Sequence, residues 1–373
     1  MTGLLSRELR ANPLYELVLF DRLPEEERRA LAELAREPGF YGVLRPRGEG
    51  LGVRSVDRDT ALLFLTLRDP GPLPTYVRST LGETAARTIA RLVADGVLEV
   101  ADGDVFVSGA AALNLLSGGS GEMGSGRIAA LSLGALRHVQ ALAVDDVSRL
   151  ALSLYAFNRR PFTPRWRRLL PSAEAVEAHL GIDPGGRNRR RLDQGWEAVP
   201  MEGWLCWGTR ARLSWAASTY KLYVSPEPEA VAESFGAVLE ALADARAFQF
   251  KVGRDAPGLL RPDKIVAYFH GFEPLARAAE IVEKHLGGVA AQGVPFTSEI
   301  GGNGLISWGV DPPRSEATES WRLWLARRLA RSILDARSSG AEGEPWRFAV
   351  ERLRLEGVDP ATWTPGALLW REA

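Results

Sequence analysis

The sequence predicts an α/β (α+β) protein, with an N-terminal winged-helix-like module ahead of a larger mixed-sheet domain. Three observations carry this. Between Pro74 and Gly109 two helical stretches run straight into a hairpin pattern. From Trp204 onward, short β-type runs alternate with helical ones, as in a layered α/β domain. A Gly/Ser-rich stretch, SGGSGEMGSG, has linker composition and separates the two halves. The 373 residues call for two or three domains, at roughly 100–200 residues each. The expected divisions are a winged-helix module over 1–115, a linker over 116–127, a helical basic segment over 128–203 and an α/β domain over 204–373.

Hydrophobic residues at 46% and charged residues at 25% suit a chain with a real core. A formal net charge of -1 removes any bulk electrostatic case for nucleic acid or membrane as partner. The single cysteine, Cys206, excludes an internal disulfide and a cysteine metal site, and suits a reducing compartment. The start, MTGLLSRELR, lacks the apolar stretch of a signal peptide. No run approaches the ~18 apolar residues of a membrane span. A cytoplasmic protein is the expectation.

Taken in order, Asn12 to Leu34 reads helical, with acids after Pro24 and arginines later, which suits the helix dipole. FYGVLRP and LGVRSV flank a Gly-containing turn and read as a hairpin. Thr60–Arg68 is an apolar helix or strand, ended by Asp69-Pro70-Gly71. LPTYVRST and ETAARTIARLVADG are two helices, the second closed by Gly96. VLEV and VFVSG flank Asp102-Gly103, a strong hairpin signal. Helix, helix, hairpin is the order of a winged helix. Gly119 to Gly124 has dinucleotide-fingerprint spacing, but a helix-like ALNLL precedes it where a strand is needed. Ile128–Asn158 reads helical and leads into two basic clusters, NRRPFTPRWRRLLP and Arg187–Arg191. These are either solvated surface or a seat for an anionic or peptide ligand. Beyond Trp204, YKLYVSP, FQFKVG and DKIVAYFHGF read as strands, and EPEAVAESFGAVLEALADARA, EPLARAAEIVEKHLG and ESWRLWLARRLARSILDARS as helices. GVPFTSEIGGNGLISWGVDPP is a loop-rich strand region.

Strand alternation puts Lys221 and Tyr223 on one face of YKLYV, and Lys251 on the same face as Gln249 in FQFKVG. A charge inside an apolar strand is costly unless paired; the bland alternative is an edge strand whose lysine faces water. Two strands joined by one helix are candidates to lie close in one sheet. Lys221 and Lys251 would then converge, and desolvation plus the neighbouring charge would leave one amine neutral and usable as a general base. The loop VGRDAPGLLRPDK adds Arg254, Arg261 and Lys264. They read either as binders of phosphate or carboxylate, or as members of local Arg254/Asp255 and Asp263/Lys264 pairs. His270 stands at the end of the next strand, whereas His138, His179 and His285 fall on helix-like segments. Glu299 and Asp311 have no telling partner. With no Gly-x-Ser-x-Gly elbow and no His-Glu-x-x-His, the pattern favours lysine and arginine chemistry on an anionic substrate.

K-x-Y-V-S, an amphipathic helix, then F-K-V resembles the core of phosphothreonine-lyase-type enzymes and of lanthipeptide synthetase lyase domains. The continuation through RPDKIVAYF, GVPFTSEI and ESWRLWLARR is similar to the Hop-effector-like lyases of class V lanthipeptide and thioamitide pathways. The resemblance covers about Tyr220 to Ile333. It implies a RiPP-biosynthesis lyase that eliminates phosphate from phosphoserine or phosphothreonine of a precursor peptide, giving dehydroalanine or dehydrobutyrine without metal or cofactor. Lys251 matches the family's base and Lys221 the lysine at the phosphate. Tyr223 falls where phosphothreonine lyases carry a histidine, so the proton donor stays open among Tyr223, His270 and a lysine. Arg261 and Tyr268 match a phosphate-binding arginine and a tyrosine. Arg254, Lys264, Arg322, Arg327 and Arg328 are further candidates for the phosphate pocket. The N-terminal module resembles the RiPP recognition element, which implies that a leader peptide adds as a strand beside Phe40–Arg45 or Leu51–Val56, against helix Glu83–Ala94. Kinase or cyclase partner proteins belong to the same expectation. Two rivals stand beside it: a non-catalytic peptide-binding scaffold, and a winged-helix DNA-binding regulator. Against the regulator, the helix TLGETAARTIARLV carries only two arginines and matching acids.

Overall fold

A computed structural model describes residues 3–37, 39–48, 51–117, 123–209, 219–312, 319–366 and 369. The chain forms two units, Met1–Gly121 with Arg331–Glu356, and Glu122–Ala330 with Gly357–Ala373. Helix at 48% and strand at 19% make the class mixed α/β.

The first unit runs β1 (Leu9–Ala11), β2 (Tyr15–Leu19), α1 (Glu25–Ala30), β3 (Phe40–Pro46), β4 (Arg54–Asp57), α2 (Arg58–Thr66), α3 (Thr75–Leu81), α4 (Ala85–Ala94), β5 (Leu98–Asp102), β6 (Val105–Val107) and α5 (Leu113–Leu116). The Asp57 carboxylate accepts from the Thr60 N–H and starts α2, so the apolar stretch there is helix. Ile89, Ala90 and Val93 share one side of α4 and are buried among Leu63, Leu67 and Leu98. Two antiparallel sheets have the orders β1-β5-β6 and β2-β3-β4. The helix expected over Asn12–Leu34 is corrected at Tyr15–Leu19. This is a strand, because its β-forming side chains gain a full ladder against β3; only Glu25–Ala30 is α-helical there.

The second unit continues with α6 (Arg127–Gln140), α7 (Val147–Ala156), α8 (Pro164–Leu169), α9 (Ala173–Leu180), α10 (Arg189–Gly195), β7 (Trp196–Ala198), β8 (Trp204–Thr209), β9 (Tyr220–Val224), α11 (Val231–Asp244), β10 (Gln249–Gly253), α12 (Ala256–Leu259), β11 (Ile265–Phe269), α13 (Phe272–Leu286), β12 (Ser298–Ile300), β13 (Ile306–Val310) and α14 (Trp321–Ser338). Helix α15 (Pro345–Glu356) and the short pair β14 (Val358–Asp359) and β15 (Thr364–Pro365) end the chain's described elements. Arg331–Glu356 belongs to the first unit, although the sequence placed 204–373 in one domain. The reason is packing: Phe348 and Leu355 join the core around Ile89 and Val93, and Arg352 pairs with Asp95 at 2.6 Å. The linker 116–127 and the Gly119–Gly124 motif fall partly outside the described residues.

Seven strands form one sheet in the order β12-β13-β9-β11-β10-β8-β7. Every ladder is antiparallel, where a mixed sheet was expected. Strands β9 and β10 do run parallel, as a strand–helix–strand crossover demands, but β11 inserts antiparallel between them. One sheet face presents Leu222, Val224, Phe250, Val252, Ala267 and Phe269 to Phe235 and Val238 of α11 and to Ala278 and Val282 of α13. This is the unit's core, and its burial sends the alternate residues of the same strands to the opposite face. No helix among the described residues is long and apolar enough to cross a membrane.

Candidate active site

The opposite face collects the polar side chains. Register places Lys221 across from Tyr268, and Tyr268 across from Gln249. Lys251 stands across from Val266 on one side and from Cys206 on the other. The two lysines therefore flank β11 and meet over one ring: Lys221 Nζ is 5.4 Å from the Tyr268 centroid, and Lys251 Nζ 5.8 Å. The edge-strand alternative for YKLYV is corrected, since β9 lies between β11 and β13 and Lys221 is only 7% exposed.

A buried lysine needs a partner, and Asp311 supplies it, with Oδ2 at 2.5 Å from Lys221 Nζ. The other oxygen of Asp311 accepts from the Trp321 N–H at 3.0 Å, tying the end of β13 to the start of α14. Lys251 has no such carboxylate among the described residues. Its Nζ sits 4.2 Å from the Trp204 ring centroid. Burial first, then the charge of Lys221, pulls its ammonium down to about 8.

Arginines form a second layer. Arg261 lies 4.8 Å from the Trp204 ring and donates through Nε and Nη2 to Asp263 at 2.8 and 2.9 Å. Its Nη2 also donates to the Tyr155 hydroxyl, while Nη1 makes no hydrogen bond among the described residues. Arg322 donates to Asp263 at 2.9 Å and to the carbonyls of Pro295 and Tyr155. Tyr155 in turn donates to Asp263 at 3.0 Å. Burial works to raise the Asp263 carboxyl, but the Arg322 charge and the bonds and charge of Arg261 overcome it and hold it far below the usual range. Asp263 is therefore a fixed anion that orients both guanidiniums.

Both tyrosines of the face keep their protons. Burial, then the Asp311 charge, raises Tyr223 and Tyr268. Tyr223 is closed off among Val266 and Val294. The remaining candidates are placed elsewhere. His270 is exposed and stacks on Phe248 at 4.2 Å. Lys264 is fully buried, with Nζ donating to the Pro226 carbonyl and to Gln292 Oε1; the expected Asp263/Lys264 pair is replaced by Asp263 with Arg261. Arg254 lines a groove beside Glu174. Arg327 pairs with Glu319, and Arg328 lies 3.5 Å over the Trp324 ring.

Tyr155 went unnoticed in the sequence, and Asp311, Asp263 and Trp204 were named there without these roles. Asp263 had a plausible local partner in Lys264, and its true partners Tyr155 and Arg322 lie far along the chain. Trp204 marked only the start of the alternating β-type and helical runs.

Comparison with protein-family models and with curated proteins finds no match to the sequence. Among solved structures, the chain is similar to an effector protein from Pseudomonas syringae pv. tomato strain DC3000, at 12% identity over 63% of this chain and 97% of that one, with a TM-score of 0.38. It is similar to the Chromobacterium violaceum VirA (SpvC) phosphothreonine lyase effector protein, at 14% identity over 31% of this chain and 65% of that one, with a TM-score of 0.24. It is also similar to a phosphothreonine lyase at 11% identity, over 48% of this chain and 88% of that one, with a TM-score of 0.26.

Proposed function

We propose that the protein is a lyase that eliminates phosphate from phosphoserine or phosphothreonine in a precursor peptide, leaving dehydroalanine or dehydrobutyrine. The observation that carries the reading is the pair of lysines in unlike surroundings on one sheet face. Lys251 is desolvated and lowered to about 8, whereas Lys221 is ion-paired to Asp311. Two like groups in such unlike surroundings suit acid–base work.

In this reading the neutral Lys251 amine takes the Cα proton. The freed electron pair forms the Cα–Cβ double bond as the Cβ–O bond breaks, and phosphate departs. Lys221 hands a proton to the leaving oxygen. It is assigned this role in preference to Tyr223, which is enclosed, and to His270, which stacks at the rim. Arg261 offers its Nη1 to the phosphate, and the surrounding fixed cations stabilise charge as it develops. The test is phosphate release from a phosphothreonine peptide by purified protein. Lys251→Ala is expected to slow release on the order of 10²–10⁴-fold. The wild-type rate should rise with pH and level off above about 8, as Lys251 loses its proton. A Lys251→Ala variant as fast as wild type defeats the assignment. Binding without release by the wild type leaves the chain as a scaffold.

The first unit supports a winged-helix reading with a docked leader peptide. Strand β3 is bonded on both sides, by β2 and β4, so of the two expected strands β4 has the edge to offer. A groove of about 490 Å³ lies between β4 and the Thr88, Arg91 and Leu92 side of α4. Thr88→Arg would fill it, and leader affinity measured by fluorescence anisotropy is expected to drop about tenfold, ~1.4 kcal/mol. Unchanged affinity removes this groove as the leader site.

A further inference from the structure

Strand β8 sends Cys206 and Trp204 to the face that carries Lys251, and Leu205 and Trp207 to the opposite, helix-covered face. Trp204, which stands against Lys251 and Arg261, also lines a groove of about 580 Å³, as does Cys206, the cross-strand neighbour of Lys251. The groove runs between the β7–β8 hairpin and helices α9 and α10. Its volume is that of a typical ligand site, ~300–1,000 Å³. Leu192 and Trp196, both nearly sealed from water, belong to its apolar floor.

The charges along it are the reverse of those beside Tyr268. Asp193 and Arg189 neutralise each other at 3.0 Å. That leaves Glu174, Glu177 and Glu202 against Arg254. Three carboxylates would repel a phosphate dianion, so the groove is not a second phosphate seat. An acidic groove that shares Trp204 with a cationic cluster instead orients a ligand that carries both signs. The apolar floor suits the methylene stem of a long cationic side chain, and the acidic rim suits its head.

We infer that this groove seats the stretch of substrate polypeptide next to the phosphorylated residue, and that it selects stretches containing lysine or arginine. The inference rests on the lyase reading above. Trp204, the first residue of β8, lines both sites, so a chain that passes round that end of the strand reaches from Lys221 and Arg261 to the groove.

The test uses the full chain and phosphothreonine peptides of one length, flanked by lysines, alanines or glutamates. Affinity is read by fluorescence anisotropy, and phosphate release is followed separately. The lysine peptide is expected to bind about tenfold more tightly than the glutamate peptide. In a Glu174→Lys/Glu177→Lys variant that order should reverse. The preference is a ratio within one protein, so loss of folded material in the variant cancels. A wild type that does not discriminate, or a variant that keeps the wild-type ratio, overturns the inference. The two readings fail separately. A lysine preference without phosphate release from any peptide sinks the lyase and keeps the groove, and release without charge preference does the opposite.

Discussion

Lys221 and Lys251 carry the same ammonium group, and their neighbours make them different. A carboxylate at 2.5 Å accompanies Lys221, and an indole with little water accompanies Lys251. Asp311 is the residue to change first. Asp311→Asn keeps an oxygen for the Trp321 N–H and removes only the charge beside Lys221. If Lys221 donates the proton, phosphate release should slow about ten- to a hundredfold, the worth of one charge-assisted contact. The thermal midpoint should stay close to wild type. An unchanged rate removes Asp311 from the mechanism. Both lysines were visible in the sequence as charges lodged in β-type runs. The pairing of Asp311 with Lys221 was not, because it depends on β13 lying beside β9.

At the scale of elements, the site depends on β11 entering between β9 and β10. That insertion sets Tyr268 between the lysines and turns the expected mixed sheet antiparallel. The turn that follows β10 is equally specific. A Cβ on Gly253 would lie 2.3 Å from the Gly258 backbone, so β10 and α12 touch through two glycines. Gly253→Ala is expected to cost about 1–3 kcal/mol in urea unfolding, the usual range for overpacking. It should also lower phosphate release by moving the segment from Lys251 to Arg261. Wild-type stability in this variant would show that the contact is loose. The strands themselves were legible from alternation, which is a local property. Their order was not, because nothing in FQFKVG or IVAYF says which edge the next strand takes.

For the whole second unit, a buried polar network joins distant loops. Lys264 binds the Pro226 carbonyl and Gln292. Gln292 donates to the Asn158 and Leu260 carbonyls, and Asn158 donates back to the carbonyls of Gln292 and Gly293. Burial is the largest influence on the Lys264 ammonium and lowers it to about 7 from an ordinary 10.5. The unfolded chain therefore binds more protons than the folded one between those values. Stability should rise with pH across that window, by at most about 1.4 kcal/mol per unit for this group, and be constant in this respect below it. Lys251 acts with the same sign from about 8. Urea unfolding at pH 7 and pH 9 is expected to give a gain of about 3–4 kcal/mol for wild type, and about 1 kcal/mol, the share of Lys251, for Lys264→Met. Equal gains in both proteins would mean that Lys264 stays charged in the fold.

The α/β class, most helices and strands, both N-terminal hairpins and the two misplaced lysines follow from the sequence alone. All rest on periodicity, capping and turn chemistry within a few residues. The tertiary structure decided the rest. Arg331–Glu356 joined the first unit because Phe348 and Leu355 complete its core. Lys264 turned inward to carbonyls and Gln292, while Arg322 came to share Asp263 with Arg261. An ionised side chain's role is set by what solvates it, and in a buried site those partners come from strand register and loop crossings between residues far apart in the chain.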